Sequence, residues 1–141
     1  MTKLHSKALS ATLLLLVSQF SVAEVVVVVN PASGISSISE NEANRLFLGK
    51  INTINGKKLK AVDQKEGNIA RTTFYEAVVK KSEAKLKAYW STRIFSGKGT
   101  PPKSLNDDNS IKSWVSSNPK AIGYIDNTKV DGSVVVVYTV K

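Results

Sequence analysis

Five consecutive valines, Val25 to Val29, constrain this chain more than any other feature. β-Branched side chains pack well on a pleated sheet, and a run apolar on both alternating faces suits a strand covered from both sides. A layered fold follows, with other elements packed above and below that strand. Asn30-Pro31 ends it, because proline brings no N–H to the ladder and steers the residue before it away from helix. Ser33-Gly34 permits a turn. Ser39-Glu40-Asn41-Glu42 has the spacing of a capping box, opening a short helix over about Glu40–Leu48 that carries Leu46 and Phe47 and stops at Gly49.

The rest of the chain alternates strand and helix patterns. Leu59–Val62 reads as a strand, followed by a helix over about Ile69–Lys80 in which Ala70, Phe74, Ala77 and Val78 mark one apolar face. Ser82 can cap the next helix, with Leu86, Tyr89, Trp90 and Ile94 as its buried stripe and Gly97 as its stop. Gly99–Pro102 is a loop. Asp108 or Asn109 can cap a short helix that turns Ile111, Trp114 and Val115 inward and ends at Asn118-Pro119. Ala121–Ile125 is a short strand, Asp131-Gly132 a turn, and Val134–Val140 a closing strand. The order predicts an α/β domain whose sheet is mostly parallel or mixed and flanked by helices. The two most apolar strands, Val25–Val29 and Val134–Val140, are expected centrally and paired with each other.

Residues 1–23 read as a cleavable export signal. Lys3 and Lys7 form a basic head, Ala8 to Val17 an apolar stretch, and Ser21-Val22-Ala23 a small-residue cleavage site. The apolar stretch is shorter than the roughly 20 residues a spanning helix needs, so the exported chain is not expected to span a membrane. Residues 24–141 then form one domain with one core, 118 residues long. Of the 20 basic residues, Lys3 and Lys7 fall in the signal, leaving 18 against 11 acidic ones and a net charge of +7. His5, the only histidine, goes with the signal, and the sequence has no cysteine. A Ser–His triad, a cysteine nucleophile, a disulfide and a typical zinc site are all excluded from the domain. No catalytic residue, metal or cofactor is assigned. The positive charge suits an anion, an anionic surface or nucleic acid. Nucleic acid is disfavoured, because most aromatic residues fall at core positions and not on a stacking platform.

The best candidate site lies in Asp63–Thr72. A strand end, a glycine turn at Gly67 and a helix opening at Asn68 present free backbone N–H groups to an anion, with Arg71 in the first turn. Gly67, Asn68, Arg71 and Thr72 are the principal candidates, with Gln64 and Ser33 as outer ones. The competing reading has Asn68 capping its own helix and Arg71 pairing with Glu66 or solvent. Ser96-Gly97-Lys98-Gly99-Thr100 has the composition of a phosphate loop without its spacing and reads as a helix stop. Lys80, Lys81, Lys85 and Lys87 read as a solvated face.

The Val-rich strand with Asn30-Pro31 and Phe47-Leu48-Gly49-Lys50 resembles the point where periplasmic substrate-binding proteins of the phosphate type enter their second lobe. Lys60-Ala61-Val62-Asp63, then Tyr89-Trp90 with Phe95–Gly99 and Pro101-Pro102, then Asn118–Ile125 are similar to the same family in the same order. The resemblance covers nearly all of the chain after Glu24 and implies a single periplasmic-binding-protein-like lobe. It implies a periplasmic, non-catalytic protein that binds phosphate or another small oxyanion and serves an ABC transporter or another envelope protein. Such proteins carry Ser-Gly-Thr at the turn where this chain reads Asn68-Ile69-Ala70. A lone lobe calls for a dimer or a partner to supply the second wall of the site. The alternative expectation is an accessory scaffold of the envelope that has lost small-ligand binding.

Overall fold

The computed structural model describes residues 24–141; the export signal expected at 1–23 lies outside them. Seven strands and four α-helices follow one another as β1 (Val25–Val29), α1 (Glu40–Phe47), β2 (Thr53–Ile54), β3 (Lys57–Lys58), β4 (Lys60–Gln64), α2 (Ile69–Phe74), α3 (Glu83–Phe95), β5 (Lys103–Leu105), α4 (Asp108–Ser117), β6 (Ala121–Asp126) and β7 (Val135–Thr139). Five strands form one mixed sheet in the order β5-β4-β6-β1-β7, and β2 and β3 form a separate small hairpin. β4 is parallel to β5 and to β6, whereas β1 is antiparallel to both β6 and β7. This is the expected α/β lobe with a mixed sheet.

β1 is buried along its whole length and splits its valines between two cores. Val25, Val27 and Val29 meet Phe47, Phe74 and Trp90 on the face covered by α1, α2 and α3. Val26 and Val28 meet Val62, Ile111 and Val115 on the face covered by α4. The period of two along the strand thus serves both layers at once. β6 carries Gly123 under α4, where an added Cβ would stand 2.7 Å from Ile111 Cγ2. Helix and sheet approach each other there more closely than any side chain permits.

The local signals hold. Ser39 and Glu42 form the reciprocal capping box, with the Glu42 amide donating to Ser39 Oγ at 3.0 Å and the Ser39 amide donating to Glu42 Oε1 at 2.9 Å. Asn30 does more than end a strand: its Nδ2 donates to Val115 O and Ser116 O, satisfying carbonyls in the last turn of α4.

Several expectations change. β1 and β7 do pair, but β7 is an edge strand, and the Ile38 amide donates to its Val137 carbonyl. Asp107, not Asp108 or Asn109, caps α4, accepting from the Ser110 amide at 2.8 Å. α2 passes into a π-helical turn over Tyr75–Val79 and stops at Lys80, which adopts φ +60°. Ile94 is 53% exposed, because the last turn of α3 overruns the core it was expected to enter.

Candidate functional site

β4 ends in Asp63 and Gln64, both buried although polar. Gln64, 1% exposed, ties three elements together. Its Nε2 donates to Asp108 Oδ1 at 2.7 Å and to Tyr124 O at 3.0 Å, and its Oε1 accepts from Asn68 Nδ2 at 3.2 Å. Gly67 turns the chain at φ +97°, a conformation that favours glycine, and Asn68 begins α2. The Asn68 side chain does not cap its own helix; Nδ2 instead donates to Asn106 O at 2.8 Å. The starts of α2 and α4 are thereby drawn together beyond the carboxyl ends of β4 and β6, where open α/β sheets place ligands.

A cleft of about 450 Å³ lies between them. Gln64, Gly67, Asn68, Ile69, Ala70 and Thr73 line one side and Asp107, Asp108 and Asp126 the other, with Val25 at the start of β1 also in the lining. Its charge is the reverse of what an anion site would have by simple complementarity. Three carboxylates line it and no lysine or arginine does. Two of those acids are held below the usual carboxylate range: Asp107 by the Ser110 amide, and Asp126 by the hydroxyl and amide of Thr128. Asp108 accepts from Gln64 and from the Asp126 amide.

Arg71 does not reach this cleft. Its Nε and Nη2 donate to the two Glu83 carboxylate oxygens at 2.7 and 3.0 Å, and Nη1 donates to Asp63 Oδ2 at 2.9 Å and Gln64 O at 2.8 Å. Neither Glu66 nor solvent is its partner; Glu66 pairs with Lys87 instead. Asp63 also accepts from the hydroxyls of Tyr75 and Tyr124 and from the Gln64 amide. Burial pushes the Asp63 carboxyl up, against the opposing pull of those hydroxyls and of Arg71. Burial and the Asp63 charge raise both tyrosines. This network braces the turn from beneath.

Of the expected residues, then, the fold brings Gln64, Gly67 and Asn68 to one cleft. Thr72 lies one position away from it, with its hydroxyl turned back to Asn68 O at 3.4 Å; Thr73 lines the cleft in its place. Ser33 follows β1, which runs opposite to β4 and β6, so it sits at the other end of the sheet and accepts from the Ile35 amide. Asp107, Asp108 and Asp126 are members that sequence reasoning missed. Asp108 was expected at a helix start, but nothing local placed that start beside Asn68.

Solved structures share this architecture. An ABC-type phosphate transport receptor from Vibrio cholerae matches 82% of this chain with 45% of its own, at 18% identity and a TM-score of 0.65. A phosphate ABC transporter substrate-binding protein from Clostridium perfringens, solved with bound phosphate, matches at 23% identity and 0.63. PstS from Borrelia burgdorferi matches at 12% and 0.62. The chain has the fold of one lobe of such a protein. It spans 44% to 46% of these three chains, and at such identities the likeness is one of fold. No protein-family model matches the sequence, and no curated protein does. Among the described residues no helix is long and apolar enough to cross a membrane.

Proposed function

We propose that this lobe is a non-catalytic binding module whose ligand is a small protonated oxyanion of the phosphate kind, held in the cleft at the start of α2. The observation that carries the reading is the uncapped start itself. Asn68 occupies the capping position but directs its side chain to Asn106 and Gln64, so no side chain takes the first amides of α2. Backbone N–H groups at a helix start accept an oxyanion's charge. The cleft carboxylates then select among oxyanions. A carboxylate repels a fully ionised anion, but it accepts a hydrogen bond from an anion that still carries a proton. Hydrogen phosphate satisfies both sides of the cleft and sulfate only one. The likeness to transport receptors supports export, a location outside the cytoplasm and delivery of the ligand to a membrane transporter.

Ile69→Pro tests this directly. Proline at the first helical position removes one amide without disturbing the helix, and Asn68 already has the extended ψ of 135° that a following proline requires. Calorimetry with inorganic phosphate is expected to show saturable binding in the wild type, absent with sulfate. Affinity should fall at least about tenfold in Ile69→Pro, the size of a hydrogen bond to a charged group. Absence of saturable binding at millimolar phosphate overturns the assignment and leaves the lobe as a scaffold, whereas unchanged binding in Ile69→Pro places the ligand away from the first amides of α2.

A further inference from the structure

A second hollow runs along the outer face of α3. Lys81, Lys85, Arg93 and Lys98 line a groove of about 510 Å³ together with Tyr89 and Thr92. No carboxylate lines it, and among the described residues none of the four cations forms an ion pair. Lys81 Nζ stands 5.4 Å and Arg93 Cζ 5.5 Å from the centroid of the Tyr89 ring, so two positive groups lie against one aromatic side chain. Arg93 Nη2 is held by Gly49 O at 3.2 Å and Lys98 O at 3.4 Å, but its buried Nε has no acceptor among the described residues. Four cations without a carboxylate partner along one groove call for anionic oxygen.

The source of that oxygen is indicated by Phe95. It is 95% exposed, the most exposed large apolar residue of the described chain, and Ile94 beside it is 53% exposed. Seven residues separate Phe95 from groove-lining Ala88, which places it two turns along nearly the same line of the helix. A small free anion makes no use of an exposed aromatic ring. A lipid bilayer uses both: basic side chains meet anionic headgroups while an aromatic ring enters the boundary with the acyl chains. We propose that the α3 groove docks this lobe on an anionic membrane surface, taking a lipid headgroup phosphate among Lys81, Lys85, Arg93 and Lys98, with Phe95 inserted alongside. This surface is separate from the α2 cleft and acts whether or not that cleft binds phosphate.

The test is co-sedimentation of residues 24–141, which contain the whole sheet and both cores, with two kinds of vesicle. One is phosphatidylcholine alone, the other an equal mixture with phosphatidylglycerol. The chain is expected to sediment only with the mixture. Lys85→Glu/Lys98→Glu, two exposed positions, should weaken binding by at least roughly 30-fold, since each cation lost near an anionic surface costs about fivefold and the new carboxylates add repulsion. Phe95→Ser should weaken it about tenfold. Lys120→Glu/Lys129→Glu makes the same charge change at exposed positions flanking β6, outside the groove, and should bind within about twofold of wild type. Ile69→Pro should bind vesicles as the wild type does. The proposal is overturned if the chain fails to sediment, which leaves the groove to an acidic protein. It is equally overturned if the Lys120/Lys129 pair weakens binding as much as the groove pair, or if millimolar inorganic phosphate displaces the chain from the vesicles.

Discussion

The two hollows of this lobe are nearly opposite in character. The α2 cleft is walled by Asp107, Asp108 and Asp126 and, among the described residues, has no basic side chain in its lining. The α3 groove is lined by four cations and no acid. Net charge read from composition predicts neither. A total of +9 says that cations exceed acids but not that none lines the α2 cleft while four line the groove along α3. Under the two proposals, recognition at the α2 cleft would rest on backbone amides and on a ligand's own proton, whereas recognition at α3 would rest on side-chain charge. The first should be insensitive to salt beyond the ordinary screening of a small ion, and the second should weaken steeply with it.

The sharpest way to test the comparison is to remove the one arginine that underlies the cleft without facing it. Arg71→Ala leaves Asp63 buried without its cation and Glu83 without either hydrogen bond. Breaking a buried pair from one side costs about 3–5 kcal/mol, a large share of a small domain's stability. Urea unfolding is expected to show that loss. A variant of unchanged stability that fails to bind phosphate would make Arg71 a ligand after all and collapse the contrast. A smaller effect follows from changing the cleft's charge. Asp126→Asn keeps a side-chain oxygen for the Thr128 cap but removes one repelling carboxylate. Sulfate should then begin to bind, with a gain of about 1–2 kcal/mol by a charge interaction of this kind near a protein surface. Calorimetry showing sulfate still excluded would mean that charge is not what selects the ligand.

The smallest effect concerns acid. The Arg71 hydrogen bonds hold the Glu83 carboxyl below its ordinary value. A group lowered by folding adds stability above its unfolded value, near 4.5, and loses it as the pH falls through the lowered one. Glu83→Gln should therefore be less stable than wild type at neutral pH, by about 1 kcal/mol for a partly exposed pair. The two should converge in acid. Parallel curves of stability against pH would show that Arg71 is braced by Asp63 alone.

What could be read in the sequence was what is decided within a few residues. The five valines, the Asn30-Pro31 stop and the Ser39–Glu42 box each carry their own physics, and each formed as expected. The position of Gln64, Gly67 and Asn68 at a sheet-end cleft followed from strand, turn and helix in sequence. Arg71 was misjudged because its main partner, Glu83, lies 12 residues on, across a π-helical turn that no local pattern announced. The acids of the cleft come from α4 and β6, some 40 to 60 residues from Asn68. Only the parallel pairing of β4 with β5 and β6 brings them there, and such pairing has no short-range signature.

The edges of the sheet have a consequence for how this chain behaves in a crowd. A strand as apolar as β1 is a natural template for fibril growth, but it lies inside the sheet with a partner on each side. The outer strands are less inviting. β5 is three residues long and begins with an exposed lysine, and β7 has its central carbonyl occupied by the Ile38 amide. A second molecule arriving at either side finds an interrupted ladder, one of the devices by which natural sheets avoid edge-to-edge association. Chains this rich in valine can thus be crowded together without seeding one another, so long as the segment bearing Ile38 stays laid against β7.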